Sequence, residues 1–544
     1  MRNIRLKIIL CVMASALLMS LPWLVPHCGC FALVGFVPLL MAEYLATEYK
    51  ARHFGLRIYI CFVLWNAATT WWIKNATIGG AVFAVLANAL QMAVIWWVFR
   101  CFKKRIQGLL PYIFLACFWI AWERWYLQSA QISWPWLVLG NAFAQSTRSI
   151  QWYEFTGTLG GSLWVWVSNI SIFWLVKWLC NGRWKEIKSG TRAALCIWIA
   201  GVLAFPYAAS AHIYHYYEEK CEGVLPVVIG QPNFDPYEKF QSFPRQKQNA
   251  LLLGLYDEAL AGDGSFDGLL LAPETFTDDV LLNDIESGVT FGTFQSFLRR
   301  YPGANLLFGA SAYREYFQHS RPSILARQSR YCDTLWFMSY NSAIMTDTSR
   351  RAEVFHKSKL VVGTELTPYP HIFVPIDDKL GGLMGRCATQ DHISCLHVEG
   401  GGESIPVGTA VCYESVYGEY CTGYVREGAR ALAVITNDAW WGNTPGYRQH
   451  LSYSRLRAIE TRRDLARCGN TGISAFIDQK GNILSQSHWW ERTYLKGEIN
   501  LNSRQTFFVR HGDICGKLCT GIFLLLLLFW AFLAATGRKM LLSR

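Results

Sequence analysis

The stretch Ile405–Tyr420, with the sequence IPVGTAVCYESVYGEY, places a cysteine where chemistry is expected. A short apolar run, Val407–Val411, ends at Cys412, and a segment of helical character follows Tyr413 and Glu414. This order predicts a buried strand that delivers a thiol to a sharp strand-to-helix turn. A helix N-terminus favours a thiolate and stabilises an oxyanion, so the pattern predicts a lowered pKa for this thiol. Buried structural cysteines are common, and the pattern alone does not separate them from a nucleophile.

Two other apolar runs end in residues that could assist a thiol. LLLAPE ends at Glu274, while FHKSKLVVGTE carries Lys357 and ends at Glu365. A carboxylate could act as a base on the thiol and later on an incoming nucleophile. An ammonium group could stabilise the negative oxygen of a tetrahedral intermediate. With Cys412 these residue types predict nucleophilic acyl transfer, although a glutamate after a strand is often a cap and a lone lysine is usually solvated.

The elements that must position these residues lie between Gly223 and Val509. Polar helical patterns, such as Pro244–Leu260 and Gly446–Arg463, alternate there with short β-type runs, which are VLPVVIGQ, GLLLAPE, NLLFGAS, WFMSYNSAIMT, IPVGTAVC, ARALAVITN and GISAFID. Such alternation predicts an α/β domain of roughly 290 residues. The sequence contains neither an internal repeat nor a glycine-rich nucleotide-binding loop.

The rest of the chain is too apolar for a wholly soluble protein, with 52% hydrophobic and only 17% charged residues among 544. A bilayer core needs about 20 apolar residues per helix. Eight runs are candidate spans, of which the second is short; they are Ile8–Val25, Phe31–Leu45, Leu56–Trp72, Ala81–Phe99, Leu109–Tyr126, Gly160–Leu179, Ala194–Tyr214 and Leu518–Ala535. The sequence therefore predicts a transmembrane domain over residues 1–222, a catalytic domain over 223–509, and a last helix with a short tail over 510–544.

The net charge of +12 is concentrated in short clusters between the apolar runs. The basic segments are Met1–Lys7, Lys50–Arg57, Arg100–Arg105 and Gly182–Arg192, and they alternate with loops poorer in Lys and Arg. By the positive-inside rule this pattern predicts cytoplasmic termini and a catalytic domain on the opposite side. Charge placed in this way indicates membrane topology and argues against nucleic-acid binding.

Two further features of the sequence limit what the protein could bind. Trp122–Gly157 is predicted as a long outward loop whose many tryptophans suit the lipid headgroup level, and it is either a packed extracytoplasmic loop or one that contacts substrate. The 17 cysteines include no C-x-x-C pair and no Cys/His metal spacing, so no metal or cofactor is expected. Nothing in the sequence demands an oligomer, so a monomer is expected.

The segments LAPET, HKSKLV and AVCYES, in the order Glu…Lys…Cys, resemble the signatures of the nitrilase (carbon–nitrogen hydrolase) superfamily. That resemblance covers most of Val224–Leu501 and implies an αββα sandwich. With the apolar runs on either side, the whole chain resembles the apolipoprotein N-acyltransferase family. The further segments that agree are WPWLVLG at Trp134–Gly140, ITNDAWWG at Ile435–Gly442, RLRAIETRRDLARCGNTGISA at Arg455–Ala475 and TFFVRHGD at Thr506–Asp513.

The resemblance also implies roles for individual residues. It makes Glu274 the general base, Lys357 the oxyanion stabiliser and Cys412 the nucleophile, with Lys359 as the nearby alternative for the lysine. Glu365 stands at the second essential acid of the family. Tyr413 and Glu414 follow the cysteine as supporting residues, and Glu365 and Glu414 could orient Lys357.

The implied reaction is a two-step acyl transfer in the bacterial inner membrane. A fatty acyl chain would pass from a membrane phospholipid to the cysteine, and then to the amine of a diacylglyceryl-cysteine at the N-terminus of an apolipoprotein. One alternative is a membrane-tethered amidase of the nitrilase type that uses water as acceptor. Another is a transporter or receptor with an inert extracytoplasmic domain, against which the few charged residues within the apolar runs argue.

The sequence departs from the family pattern at two places. Val362-Gly363-Thr364 replaces the usual Pro-Phe-Gly before Glu365, which leaves the shape of the following loop, Leu366–Gly381, undetermined. The substrate-contacting tryptophan of the family has no counterpart, and Phe234 is the nearest aromatic residue in GQPNFDPYEKF without an assigned role.

Overall fold

The computed structural model describes residues 2–239, 243–262 and 265–540. The chain divides into two compact units, one formed by residues 1–217 with 511–544 and the other by residues 218–510. The last four residues of the predicted cytoplasmic tail, Leu541–Arg544, lie outside the described residues, as does Met1.

Helices make up most of the first unit and cover the sheets of the second. The helices before residue 217 are α1 (Arg2–Leu24), α2 (Ala32–Gly35), α3 (Val37–Glu48), α4 (Phe54–Thr70), α5 (Ile78–Lys103), α6 (Leu110–Gln128), α7 (Tyr153–Cys180) and α8 (Ser189–Tyr216). The later helices are α9 (Arg245–Ala259), α10 (Val289–Leu298), α11 (Pro370–Lys379), α12 (Gly418–Arg426), α13 (Pro445–Thr461), α14 (Phe507–His511) and α15 (Ile514–Ala535).

Within the described residues, six helical segments are long and apolar enough to cross a membrane. They are Asn3–Leu24, Gly29–Glu48, Ile78–Lys103, Tyr153–Cys180, Ser189–Tyr216 and Ile514–Ala535. The two other predicted spans are also helical, as α4 and α6. However, α4 has only 17 residues, and α6 carries Glu123 and Arg124. The predicted number of eight spans is therefore not confirmed.

Aromatic side chains pack the interior of the first unit. Phe36, between α2 and α3, stacks on Trp166 of α7 with ring centroids 4.8 Å apart. Phe118 of α6 stacks on Phe523 of α15 at 4.4 Å, so the last helix packs against one from the N-terminal half. Glu43 is buried, and Lys103 neutralises it at 2.5 Å.

The predicted tryptophan-rich loop Trp122–Gly157 is shorter than expected. Because the helical pattern continues through Trp122, α6 ends only at Gln128, and α7 begins at Tyr153. The connection between them contains three short 3-10 helices. Trp136 in this connection is fully buried and stacks on Trp134 at 5.1 Å. This segment is therefore a packed part of the first unit.

The second unit contains two β-sheets. Its strands are β1 (Val224–Gln231), β2 (Gly268–Leu271), β3 (Thr277–Leu281), β4 (Ala304–Phe317), β5 (Arg327–Gln328), β6 (Leu335–Thr346), β7 (Ala352–His356), β8 (Leu396–Gly400), β9 (Glu403–Val411), β10 (Ala431–Thr436), β11 (Leu465–Gly469), β12 (Ala475–Ile477), β13 (Ile483–Gln486) and β14 (Thr493–Asn500). The first sheet has the order β14-β1-β2-β4-β6-β5, with β3 beside β4 and β7 beside β6. The second has the order β13-β12-β11-β10-β9-β8.

The two sheets pack face to face, with helices on their outer faces. One apolar cluster joins residues of both sheets, such as Val227 of β1 and Val434 of β10. A second cluster lies between the first sheet and the helices α9 and α10, and α12 and α13 pack on the second sheet. These layers confirm the predicted αββα sandwich. The parallel pairing of β1 with β2 and of β9 with β10 brings the carboxyl ends of these strands together, and Glu274 and Cys412 lie just after β2 and β9.

The segment Leu366–Gly381, whose shape the sequence left undetermined, contains a helix. Pro370 occupies the first turn of α11, where its missing N–H costs nothing. Ile372, Phe373 and Ile376 on this helix are exposed, which is unusual for three large apolar side chains so close together.

Candidate active site

Cys412 lies immediately after β9, at the first residue of a short 3-10 turn, Cys412–Val416. Its φ is +52°, in the left-handed region that costs a non-glycine residue about 1–3 kcal/mol. Its side chain is 8% exposed. The surrounding structure must therefore hold the cysteine in this strained turn, as expected where a strand delivers a nucleophile.

Glu414 ties the cysteine turn to the segment that carries the lysine. Its Oε2 accepts a hydrogen bond from the N–H of Val411 at 2.8 Å, and its Oε1 accepts one from the N–H of Ser358 at 2.7 Å. The hydroxyl of Tyr420 donates a further bond to Oε1 at 2.8 Å. Burial raises the pKa of Glu414, while these donors oppose that effect. This carboxyl group therefore fixes Lys357, one residue before Ser358, relative to Cys412.

Lys357 lies between two carboxylates. Its Nζ is 3.1 Å from Oε1 of Glu274 and 2.9 Å from Oε1 of Glu365. Asn341 of β6 makes the same pair of contacts, because its Nδ2 donates to the same two oxygens at 2.8 and 2.7 Å. An ammonium and an amide thus hold together two acids that would otherwise repel each other.

Glu274, Glu365 and Lys357 lie close enough to one another and to Cys412 that their charges shift the pKa of the lysine and of the thiol. Burial alone would lower the pKa of Lys357, but Glu274 and Glu365 outweigh burial and hold that pKa well above its usual value. For Cys412, burial raises the pKa well above that of an ordinary thiol; Glu274 raises it further, and Lys357 opposes the rise. The prediction of a lowered thiol pKa was therefore wrong. The thiol is buried, and Cys412 is the first residue of a short 3-10 turn. The N-terminus of α12 lies only at Gly418, so it is not at the thiol.

The turn that presents Glu274 is held by a close backbone approach. Thr275, the next residue, has a φ of +47°. Gly309 of β4 donates its N–H to the carbonyl of Pro273 at 3.1 Å. A Cβ at Gly309 would come within 2.6 Å of the Cα of Glu274 and 2.5 Å of the N of Thr275. Only glycine leaves room for the turn in this position.

A buried polar network supports the cysteine turn from behind. Nε2 of His450 lies 3.1 Å from the carbonyl oxygen of Cys412, and its Nδ1 lies 2.9 Å from Asp438. Arg467 donates to Oδ2 of Asp438 at 2.7 Å. A thiol, a carboxylate and an imidazole lie within 4.8 Å of one another here, a set that could ligate a metal ion. The Arg467 guanidinium already neutralises Asp438, so the residues present disfavour a cation at this place.

The structure separates the two candidate lysines. Lys357 joins the two acids, whereas the Nζ of Lys359 lies over the rings of Tyr417 and Tyr420, at 5.2 and 5.6 Å from their centroids. Burial lowers the pKa of Lys359. Tyr413 is buried against Tyr417, with ring centroids 5.3 Å apart.

Phe234, left unassigned by the sequence, is buried against Phe243 and Phe276 as part of the core.

Sequence reasoning missed several groups near the site, among them Asn341, Asp438 and Lys239, and the first two of these had a signal. Asn341 is a polar residue inside the apolar run WFMSYNSAIMT, and Asp438 follows the apolar run that ends at Thr436. Lys239 had no such signal in the sequence, because it belongs to an irregular polar stretch. Lys239 donates to the carbonyl oxygen of Thr275, and burial lowers its pKa to about 7, although Glu274 opposes that shift.

The fold and the gathered thiol, ammonium and carboxylates make the second unit similar to the carbon–nitrogen hydrolase class. Residues 324–507 match the carbon–nitrogen hydrolase family, and residues 15–171 match the apolipoprotein N-acyltransferase N-terminal domain. Over these two segments the chain is similar to the apolipoprotein N-acyltransferase family.

Two relatives bearing that name extend over nearly the whole chain. The apolipoprotein N-acyltransferase of Chlorobaculum tepidum is 27% identical over 516 residues, which cover 92% of this chain and 91% of the relative. That of Geobacter metallireducens is 26% identical over 538 residues, covering 93% and 92%. Among solved structures, the nitrilase-superfamily protein Nit3 of Saccharomyces cerevisiae covers 52% of this chain and 93% of its own, with 14% identity and a TM-score of 0.37.

Proposed function

We propose that the protein is an acyltransferase that moves a fatty acyl chain from a membrane phospholipid to the N-terminal amine of a diacylglyceryl apolipoprotein. The acyl chain passes through a thioester on Cys412. The names of the relatives support the donor and acceptor classes, and the long apolar helices support a location in the bacterial inner membrane.

The observation that carries the proposal is the surroundings of the Cys412 thiol. It sits in a strained turn, and both the carboxylate of Glu274 and the ammonium of Lys357 act on its charge. A thiol whose pKa is raised is protonated at neutral pH, so it needs a base at the moment of attack. Glu274 has that role in the proposal.

In the first half-reaction Glu274 removes the thiol proton, and the sulfur attacks the ester carbonyl of the phospholipid. The carbonyl oxygen becomes negative in the tetrahedral intermediate and is stabilised by the Lys357 ammonium. When the intermediate collapses, the C–O bond of the ester breaks. The lysophospholipid leaves as an alcohol after taking the proton from Glu274, and a thioester remains.

In the second half-reaction the amine of the acceptor attacks the thioester carbonyl. Glu274 accepts a proton from the nitrogen as the C–N bond forms, and the C–S bond then breaks. The sulfur regains its proton, so the enzyme returns to its starting state. Glu365 and Asn341 keep Lys357 in position through both halves, because Glu365 accepts a hydrogen bond from the lysine and Asn341 donates to the two carboxylates that the lysine contacts.

The exposed apolar side chains of α11 support a lipid as the donor. Tyr369, Ile372 and Ile376 are 42%, 60% and 49% exposed, on a segment that begins four residues after Glu365. Burial of such side chains against acyl chains is favourable at about 25 cal/mol per Å² of apolar area. Water as acceptor, the amidase alternative, has no comparable support.

The test is intact-mass analysis of the purified full chain after incubation with phospholipid. We expect the wild type to gain the mass of a fatty acyl group, and hydroxylamine to remove it, as a thioester requires. Cys412→Ala should gain nothing while remaining folded, and Cys412→Ser should be close to inactive because a hydroxyl ionises far less readily than a thiol.

Addition of a diacylated lipopeptide then separates the two acceptors. Loss of the adduct together with formation of an amide on the lipopeptide supports acyl transfer. Loss of the adduct at the same rate without lipopeptide, with release of free fatty acid, would mean that the enzyme is a hydrolase. An adduct that persists in Cys412→Ala would remove Cys412 as the nucleophile.

A further inference from the structure

A pocket of about 680 Å³ in the second unit is lined by basic and aromatic side chains. Four arginines contribute to its wall, which are Arg321, Arg327, Arg330 and Arg386. Trp336 and Phe337 add an apolar side. None of the residues placed in the acyl-transfer site lines it, so the proposed reaction does not explain this pocket.

The pocket carries more positive charge than its own acids neutralise. Against four arginines, the lining contains one carboxylate, Asp378. Arg321 and Arg386 share that carboxylate, at 3.2 and 2.7 Å, and Arg386 also pairs with the buried Asp377 behind the wall at 2.5 Å, so two acids face four arginines. Arg327 instead donates to backbone carbonyl oxygens, and Arg330 is exposed and makes no side-chain hydrogen bond or ion pair within the described part of the chain.

The buried part of this wall has an unused donor. Arg386 is only 5% exposed, and its Nε has no hydrogen-bond partner in the part of the chain that the structure describes. Buried donors are almost always paired, so an unpaired one indicates a missing acceptor. Arg327 lies close enough that the Arg386 charge adds to burial in lowering the pKa of Arg327. An anion beside these two guanidinium groups would give the Arg386 Nε an acceptor and would offset the repulsion between the two positive charges.

We propose that this pocket binds a phosphate group. Guanidinium groups donate in pairs to tetrahedral oxyanions, and Arg is the residue best suited to phosphate. The volume exceeds that of a phosphate ion and leaves room beside Trp336 and Phe337 for an attached group. The phosphate could be that of a phospholipid headgroup, in which case the inference extends the proposed function, or it could be free phosphate.

Backbone hydrogen bonds join the pocket to the acid of the candidate active site. The N–H of Cys387 donates to the carbonyl of Glu365 at 2.8 Å, and that of Gly385 donates to the carbonyl of Gly363 at 3.0 Å. Arg386 lies between Gly385 and Cys387 in the sequence. A phosphate held by Arg386 would therefore be fixed relative to Glu365, as a donor lipid bound by its headgroup requires.

The first experiment measures phosphate binding without turnover. Full-length Cys412→Ala protein in detergent is titrated calorimetrically with inorganic phosphate at low salt. We expect saturable binding that Arg330→Gln weakens about tenfold, since one charge-assisted contact is lost. Arg350→Gln is the matched control, because it removes the same charge from an exposed pair with Glu286 outside the pocket. Absence of binding, or equal binding in Arg330→Gln, would overturn the proposal.

The second experiment identifies the source of the phosphate. Acylation of Cys412 is followed with a phospholipid and with a p-nitrophenyl ester of the same fatty acid, which has no phosphate. If the headgroup occupies the pocket, Arg330→Gln raises the KM for the phospholipid alone, about tenfold. If free phosphate is the ligand, both donors react as in the wild type while phosphate binding stays weakened.

These two experiments keep the two proposals apart. Phosphate binding that Arg330→Gln weakens, in a protein that no donor acylates, would remove the proposed function and leave the pocket assignment standing. Normal acylation in a protein that binds no phosphate would remove the pocket assignment and leave the proposed function standing.

Discussion

At the scale of the residue, Lys357 and Lys359 differ in what they contact. Lys357 joins Glu274 and Glu365, while Lys359 lies over two tyrosine rings. The two lysines are two positions apart in the sequence, so motif spacing cannot assign the catalytic role without a resemblance. The contacts supply the physical reason to prefer Lys357.

We therefore expect Lys357→Met and Lys359→Met to have different effects. Loss of Lys357 removes the positive charge beside the developing oxyanion and should slow acylation by about 10²–10³-fold. Loss of Lys359 removes a cation–π contact worth about 1 kcal/mol and should leave the rate within about threefold. Single-turnover acylation measures both, with gel filtration to check folding. If only Lys359→Met is inactive, the lysine assignment is wrong.

The raised pKa of Cys412 predicts a second measurable property. Burial and Glu274 favour the neutral thiol, so the thiolate fraction should keep increasing as the pH rises above 9. Iodoacetamide alkylation of Cys412, quantified by peptide mass spectrometry, should rise with pH without a plateau near neutrality. Cys332 in the same protein is the control, because its hydrogen bond with Thr334 lowers its pKa. Alkylation of Cys412 at lower pH than Cys332 would contradict the structure.

At the scale of the element, the site depends on how closely β4 approaches the turn after β2. Gly309 of β4 lies against the backbone of Glu274, where a methyl group has no room. Glu414 has the equivalent role at the other turn, since its carboxyl group joins the end of β9 to the lysine segment. The positions of Glu274 and Cys412 therefore depend on backbone packing that their own side chains do not provide.

Gly309→Ala tests this dependence. The added Cβ would meet backbone atoms at 2.5–2.7 Å, so the turn that carries Glu274 must move. We expect acylation to fall about 10²-fold, because a displacement of about 1 Å in a positioned group has that effect. Gly292→Ala in α10 is the control, since a Cβ there meets nothing within 4 Å and helix propensity improves. An acylation rate in Gly309→Ala equal to that of Gly292→Ala would show that the turn adapts.

At the scale of the whole molecule, the chain combines a unit of long apolar helices with an α/β sandwich. By the positive-inside rule, the basic segments between the apolar runs predict that the sandwich lies on the side opposite the cytoplasm. This orientation is required if the acceptor is a lipoprotein that has already left the cytoplasm, and it remains a prediction.

Two native cysteines test the orientation. Cys332 belongs to the sandwich, and Cys101 is exposed in the basic segment Arg100–Arg105. We expect a membrane-impermeant maleimide to label Cys332 in intact spheroplasts and to label Cys101 only after the membrane is opened. Peptide mass spectrometry distinguishes the two sites. Labelling of Cys101 alone in intact spheroplasts would reverse the predicted topology.

Much of this architecture could be read from the sequence, because the information is local. Hydrophobic run length predicted the membrane helices, and alternation of short apolar runs with polar helices predicted the α/β domain, for which the family resemblance implied the sandwich. The ends of the apolar runs indicated Glu274, Lys357, Glu365 and Cys412. The number of spans was less certain, since α4 is short and α6 contains charged residues. The long tryptophan-rich loop was also overestimated, because α6 continues through Trp122 to Gln128.

Other properties arise only when distant segments meet. Asn341 and Lys357 contact the same two carboxylates because β6 and the segment after β7 pack beside the turn that carries Glu274. The thiol pKa depends on burial and on charges far away in the sequence, so the local helix argument predicted the wrong direction. The arginine pocket likewise joins β5 and β6 to the segment after α11. The sequence by itself determined which chemical groups are present and on which elements they lie. The tertiary structure decided their distances, their solvation and hence their charge, because these depend on contacts between residues far apart in the chain.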